Sequence, residues 1–377
     1  MSVEVKPVAS RRDRQEFIDL PYRLHATSSQ WIPHLKVERR VFLSPKFNAF
    51  FSHGDAQLFL AWRDGRVVGR VSAQIDHAFN AFHDNAWGMF GFFEVENDPE
   101  AAQALVDAAA AWLFERGRDR MVGPMDFTIN DQSGIVIEGH ELDAMILQPW
   151  HPPYYQQLCE GSGTGLTKAV DLLMWELDIT DRAKVLPVIF DLAAKVEPDH
   201  GIRIRKATRR SLRKDMDRFA EVYNAAWSRN WGFSPYGKKD LDALTQETHL
   251  VFNPEWFMVA ERVSDGETAA VAITVPDINQ VLKRMRGRLL PFGWVHFLRQ
   301  RQIVDRCRVG FLGVKPEFQH TGVAAALYVE HFDVAERGRI NGGEMGWILE
   351  TNEAMNRGME AMGGRIVKRY RIYEREL

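Results

Sequence analysis

Gln319, His320, Thr321, Gly322, Val323 and Ala324 form the stretch of this chain best suited to hold an anion. They follow an apolar run, Val309 to Val314, and a break at Lys315-Pro316. They lead into a helical pattern that reaches about Arg337, where Gly338 ends it. A helix start leaves its first N–H groups without partners, and the helix dipole adds partial positive charge there. Gly322 has no Cβ, so an anionic ligand can approach the backbone closely. The spacing predicts a cradle for a phosphate or pyrophosphate. A plain strand-to-helix turn that holds a glycine is the competing reading, and Q-x-x-G-x-A alone does not exclude it.

Few other residues are placed for chemistry. His296 lies in a helical segment with a basic polar face, where a packing role competes. His320, inside the cradle, suits phosphate contact better than proton abstraction. Tyr370 and Tyr373 fall on the last strand and also read as sheet aromatics. Asn352 and Asn356 stand one helical turn apart on one face. Cys159 and Cys307 are the only cysteines, and their spacing is neither a metal site nor a disulfide framework.

The strand, the turn, the long helix and the segment after them together resemble the GNAT superfamily of acyl-CoA N-acyltransferases. The family signature, Q/R-x-x-G-x-G/A, reads here Gln319-x-x-Gly322-x-Ala324. The resemblance implies an α/β (α+β) fold, a mixed and mostly antiparallel sheet flanked by helices. It implies acetyl-CoA or another acyl-CoA as cofactor, its pyrophosphate on the amides of His320 to Ala324. The pantetheine arm would pair with Leu312, Gly313 and Val314, with Asn352 near its amide and Asn356 alongside. Many members carry N-x-x-A-x-x-L-Y-x-x-x-G-F next; here Asn352, Met355, Gly358, Met359, Gly363 and Gly364 hold those places. Met359 thus stands where the family's tyrosine protonates the leaving thiolate.

Acyl transfer to an amine needs a proton acceptor, an oxyanion donor and a route for the thiolate. An N–H near Val314 suits the oxyanion. Thiols ionise near pH 8.5, so the thiolate can leave without an acid. Glu350 follows the strand that lines the acyl group in the family and is the first candidate base; capping the next helix competes. His296 and Tyr370 are the others. The reading is N-acyl transfer, N-acetyl transfer first, to an amine of a small molecule or peptide. Fem-type aminoacyl transferases, long-chain N-acyl amino acid synthases and a non-catalytic CoA-binding protein are the rivals.

The elements that position these residues occur twice. Val3–Val8 returns as Ile202–Ala207, the hairpin Gln57–Ile75 as Trp256–Val275, and Gly91–Gly117 as Val309–Gly338. Glu115-Arg116-Gly117-Arg118 even matches Glu336-Arg337-Gly338-Arg339. The predicted organisation is a degenerate GNAT-like domain over 1–180, a bridging helix and linker over 181–201, and an acyltransferase domain over 202–377. At the cradle position the first copy has Asn97-Asp98-Pro99-Glu100-Ala101, whose carboxylates would repel a pyrophosphate. Asp98 reads as a helix N-cap there, so the first half is assigned a structural or substrate-binding role. An insertion at 278–305 breaks the mirror and predicts helices over Asn279–Arg288 and Val295–Val304. Its apolar faces, with Arg284, Arg286 and Arg299 opposite, read as a packed pair, a cleft wall or a membrane-facing flap.

Composition bounds the rest. The chain has 377 residues, 45% of them apolar, enough for two or three cored domains. A net charge of −3 favours no nucleic acid, and the basic run Arg203–Arg218 lacks aromatic interleaving. No signal-peptide core and no membrane-length apolar run are legible, so a cytoplasmic protein is expected. Nothing in the sequence sets the oligomeric state.

Overall fold

The computed structural model describes residues 2–161 and 163–377, with side chains for all of these except 247–251. The first half runs β1 (Glu4–Pro7), α1 (Arg11–Leu24), α2 (Lys36–Phe42), β2 (Gly54–Arg63), β3 (Arg66–Asp76), α3 (His77–His83), β4 (Trp87–Val95), α4 (Pro99–Phe114), β5 (Arg120–Gly123), β6 (Ile135–Glu138), α5 (Tyr154–Glu160) and β7 (Thr167–Leu177). Then come α6 (Pro187–His200), β8 (Ile202–Lys206), α7 (Leu212–Trp227), α8 (Lys238–Val251), β9 (Phe257–Arg262) and β10 (Thr268–Pro276). The insertion holds α9 (Asn279–Met285), α10 (Gly293–Leu298) and α11 (Gln300–Ile303). The chain closes with β11 (Arg306–Val314), α12 (Val323–Glu336), β12 (Gly342–Leu349), α13 (Glu353–Ala361) and β13 (Arg365–Glu376).

The residues fall into two compact units. One holds Met1–Leu172, Leu282–His296 and Lys368–Leu377; the other holds Leu173–Val281 and Phe297–Val367. This departs from the division expected at 180 and 202, and strand pairing is the reason. The first unit takes a strand from the end of the chain: β13 pairs with β5 from Tyr373↔Gly123 to Glu376↔Arg120. The second takes residues 173–177 of β7 beside β12.

In the first unit β1, β2, β3 and β4 are antiparallel neighbours, and β4 runs parallel to β5. Asp98 caps α4 by accepting from Ala101 N–H at 3.2 Å, as its place before Pro99 predicts. The alanine-rich face of α4 buries Leu105, Val106, Ala109 and Leu113 against the sheet. In the second unit β8, β9, β10 and β11 are antiparallel neighbours and β11 runs parallel to β12. There α12 buries Val323, Leu327, Phe332 and Ala335 in the core.

Both copies bulge at one place. The β3–β4 register shifts between Arg70 and Ser72, and the β10–β11 register between Ile273 and Thr274. Each bulge falls at a Gly-Phe pair, Gly91-Phe92 and Gly310-Phe311. A bulge bends its strand, and here it starts the parting of β4 from β5 and of β11 from β12.

Two local expectations fail. Ala144–Leu147, whose apolar composition predicts a further short strand, forms a turn instead, with Gln148 N–H returning to Met145 O at 3.0 Å. The helix expected over Val295–Val304 breaks into α10 and α11 at Arg299, whose backbone leaves helical geometry. The basic run does form ion pairs: Arg205 and Arg218 both bind Asp215 and Glu261.

Candidate functional site

In the second unit β11 and β12 pair only from Arg306↔Gly342 to Val309↔Met345. Beyond this they part, and β11 runs on to Val314 without a neighbour on that side. Among the described residues no side chain bonds the backbone of Gly310–Val314, so this strand edge can pair with a ligand's amides. An apolar pocket lies beside the parted strands, lined by Leu177, Leu312, Tyr328, Met345 and Met362.

The cradle residues sit at the end of that strand. Pro316–Thr321 forms a short 3₁₀ turn, Gly322 takes φ +76°, and α12 begins at Val323 with no side chain capping it. Gln319 and His320 are exposed, whereas Thr321 and Val323 are buried. Helix α6 packs against the turn: a Cβ on Gly322 would lie 3.2 Å from Leu192 O. The glycine is therefore required by left-handed backbone and by this helix contact, apart from any ligand.

Asn352 accepts from Met355 N–H at 3.1 Å and caps α13. Asn356 accepts from Trp175 Nε1 at 3.0 Å and donates to Leu349 O at 3.1 Å. Both asparagines hold the fold of the β12–α13 corner. Glu350 lies half-buried in the turn before α13. Met359 is fully buried. The Tyr328 hydroxyl lies 3.7 Å from where a Cβ on Gly358, in the helix of Met359, would stand. Burial pushes the Tyr328 hydroxyl up and keeps it protonated. The sequence reading missed Tyr328 because it falls on the core-facing side of a helix.

His296 and Tyr370 belong to the first unit, not to the unit holding the cradle and Glu350. Tyr370 is 1% exposed and donates to Gln148 Oε1 at 3.3 Å.

The first unit closes its own parted strands. Val95, the counterpart of Val314, donates its N–H to Tyr155 Oη at 3.0 Å. Its carbonyl accepts from Tyr154 Oη at 3.0 Å. These two tyrosines of α5 occupy the backbone groups that a pantetheine would need.

Beside them is a buried polar cluster that the sequence reading did not find. Glu94 Oε2 accepts from Tyr155 Oη at 2.6 Å and from His25 Nε2 at 2.8 Å. Burial pushes the Glu94 carboxyl up, but the charge and hydrogen bond of His25 outweigh it and bring it down to about 2. Burial pushes Asp126 up to about 6 despite its bond from Phe92 N–H at 2.8 Å. Burial also lowers His34 and His151 to about 4, leaving both neutral at pH 7. Arg70 is 8% exposed, donates to Phe17 O at 2.7 Å and has no partner for Nε. Glu94, Arg70 and Asp126 come from β4, β3 and the loop after β5. Only pairing across the sheet brings them together, so no local spacing announces them.

The fold is that of the GNAT N-acetyltransferases. A tandem GNAT protein from the clavulanic acid biosynthesis pathway superposes with a TM-score of 0.58 at 13% identity, covering 100% of this chain and 98% of that one. A GCN5-related N-acetyltransferase from Sphaerobacter thermophilus gives 0.54 at 12% identity, covering 99% and 95%. Among sequences, the bacterial ceramide synthase of Caulobacter vibrioides is 34% identical over 382 residues, covering 100% of this chain and 98% of that protein. Protein YghO of Escherichia coli is 32% identical over 379 residues, covering 99% and 95%. No family model matches the chain. The chain has the GNAT fold and belongs to the family of the Caulobacter ceramide synthase and YghO.

Proposed function

We propose that this protein N-acylates the amine of a long-chain amino alcohol, taking the acyl group from an acyl-CoA. The observation that carries the reading is the 34% identity to a bacterial ceramide synthase along the whole chain. A ceramide is the amide of a fatty acid with such an amine. The geometry of the second unit supports acyl-CoA as donor. Its β11 edge is unpaired past Val309, its helix start is uncapped, and an apolar pocket lies alongside.

In this reading the amides from His320 to Ala324, with Gln319 and Thr321 at their flank, hold the pyrophosphate. Leu312, Gly313 and Val314 pair with the pantetheine, and Asn352 and Asn356 shape the corner beside it. Glu350, in the turn before α13, is the proton acceptor, and Tyr328 offers the leaving thiolate a hydroxyl in place of the family's tyrosine. His296 and Tyr370, in the unit that does not hold the cradle, are the other candidates. Acetyl transfer to a small amine is the outcome to be excluded.

The test offers purified protein palmitoyl-CoA or acetyl-CoA with sphinganine, reading thiol release and amide mass. Amide from palmitoyl-CoA supports the proposal. Amide only from acetyl-CoA, or on simple amines alone, overturns the long-chain reading. His320→Glu places a carboxylate at the exposed edge of the cradle and should cut the thermal shift given by CoA at least tenfold in midpoint concentration. An unchanged midpoint removes the cradle.

A further inference from the structure

The polar cluster of the first unit surrounds a small cavity of about 50 Å³. Its walls include the rings of Tyr22, Trp31 and Trp150, and Arg70, Glu94 and Asp126 reach it from the sheet side. Gln132 stands at its edge, donating to Gln148 O at 3.1 Å. Nothing in the acyl-CoA reading uses these groups.

Their hydrogen bonding is incomplete in a definite pattern. Glu94 is held through Oε2, while its Oε1 has no protein donor among the described residues. Asp126 accepts from Phe92 N–H through Oδ1, while its Oδ2 has none. Arg70 Nε is buried without an acceptor. A buried N–H left without an acceptor is costly, so a fold retains one where something else satisfies it. Two carboxylate oxygens need donors, and one guanidinium N–H needs an acceptor. A phosphate meets repulsion from both carboxylates, and an apolar group satisfies none of the three. An ammonium with an oxygen on a neighbouring carbon answers all three, and aromatic faces favour the cation. The volume suits a head of a few heavy atoms, since one water takes about 30 Å³ of liquid.

We propose that this cavity is a recognition site for the head of a primary amine bearing a neighbouring hydroxyl or carbonyl oxygen. Glu94 and Asp126 accept from the ammonium, and Arg70 Nε donates to the oxygen. His25 and Tyr155 fix the Glu94 carboxylate before the ligand arrives, which limits the ordering cost of binding. The identification of this amine with the acceptor rests on the reading above; the pocket itself does not.

The probe is 2-amino-1-octanol, with 1,2-octanediol as the amine-free control, read by calorimetry and thermal shift on the full chain. Wild-type protein should bind the amino alcohol and not the diol. Asp126→Asn should weaken that binding at least tenfold, while the thermal shift given by CoA stays unchanged. Gln132→Leu, at the half-buried edge, should weaken it as well and serves if Asp126→Asn does not fold. Absence of binding to the wild type, equal response to the diol, or full affinity in the folded variants overturns the site. Should the variants lose the amino alcohol while no acyl-CoA yields amide, the site stands and the transferase reading falls. Should amide form at wild-type rates in the variants with unaltered affinity, the reverse holds.

Discussion

Asp126 and Glu94 sit in one cluster with opposite shifts, and the contrast has a physical origin. Glu94 accepts from His25 and feels its charge; Asp126 has one backbone N–H and the charges of Arg70 and Arg39, which burial outweighs. Asp126 therefore holds a proton in the folded chain up to about pH 6, whereas its ordinary value is 3.8. The folded state then binds more protons than the unfolded state between those values, so this carboxyl's contribution is greatest below pH 3.8 and is lost as pH rises through 6. Unfolding free energy of the wild type relative to Asp126→Asn should fall by roughly 1–2 kcal/mol from pH 4 to pH 7, allowing for a half-buried site. Urea titrations across that range measure it, and a flat difference refutes the shift. Gly322 makes a second case. Alanine there meets left-handed backbone and Leu192 O at 3.2 Å, so Gly322→Ala should lose about 1–2 kcal/mol in the same titrations without any ligand. An unaltered midpoint shows that α6 yields at the contact. The sequence made Gly322 legible as a special backbone position. It did not show whether a helix or a ligand required it, because Leu192 is far away in the chain.

At the level of elements, periodicity and punctuation marked most of what forms. The hairpins, α4, α12 and the β12–α13 corner stand where alternation, Asp98-Pro99, Gly322 and Asn352 place them. What stayed hidden were features set by contacts distant in sequence: the polar cluster, the tyrosines over Val95, and the break at Arg299. The insertion shows both sides. Its amphipathic pattern was plain, yet residues 282–296 join the first unit, where Leu282 packs near Trp31 and Ile32 and Lys283 pairs with Asp143 at 2.6 Å. Its tip is left uncovered: Leu290 and Phe292 are each 73% exposed, with Trp294 nearby. Arg284, Arg286 and Arg288 are exposed just before it, without ion pairs among the described residues. Apolar tips flanked by cations suit an anionic bilayer surface, and among the described residues no helix is long and apolar enough to cross one. Burying a Leu or Phe side chain gives about 1.5–3 kcal/mol, so Leu290→Asp with Phe292→Asp should lower partition onto phosphatidylglycerol vesicles more than tenfold. Sedimentation with vesicles reads this. Equal partition of wild type and variant would leave the tip without that role.

For the molecule as a whole, the repeat predicted two domains divided near the middle of the chain, and the strand pairing qualifies that division. The repeat also extends to the chain's last stretch, Pro153–Leu177 mirroring Glu353–Leu377. It could not show which copy of the last strand each sheet would take, since two homologous strands carry similar alternation and compete for similar edges. The first unit uses β13: Tyr373 is fully buried in its core, Arg371 pairs with Asp171 at 2.8 Å, and Lys368 donates to Asp143 O at 2.8 Å. A fragment of residues 1–180 lacks all of these and leaves β5 unpaired on the side that β13 fills. An open edge beside an uncovered core is an aggregation template. That fragment should be insoluble or molten, with weak near-ultraviolet dichroism and a broad unfolding transition. Extending it through a flexible linker to residues 365–377 should restore a cooperative transition, because the missing pairing and the Tyr373 contacts return together. A fragment of residues 1–180 that unfolds as sharply as the extended one would show that the first copy closes its own sheet.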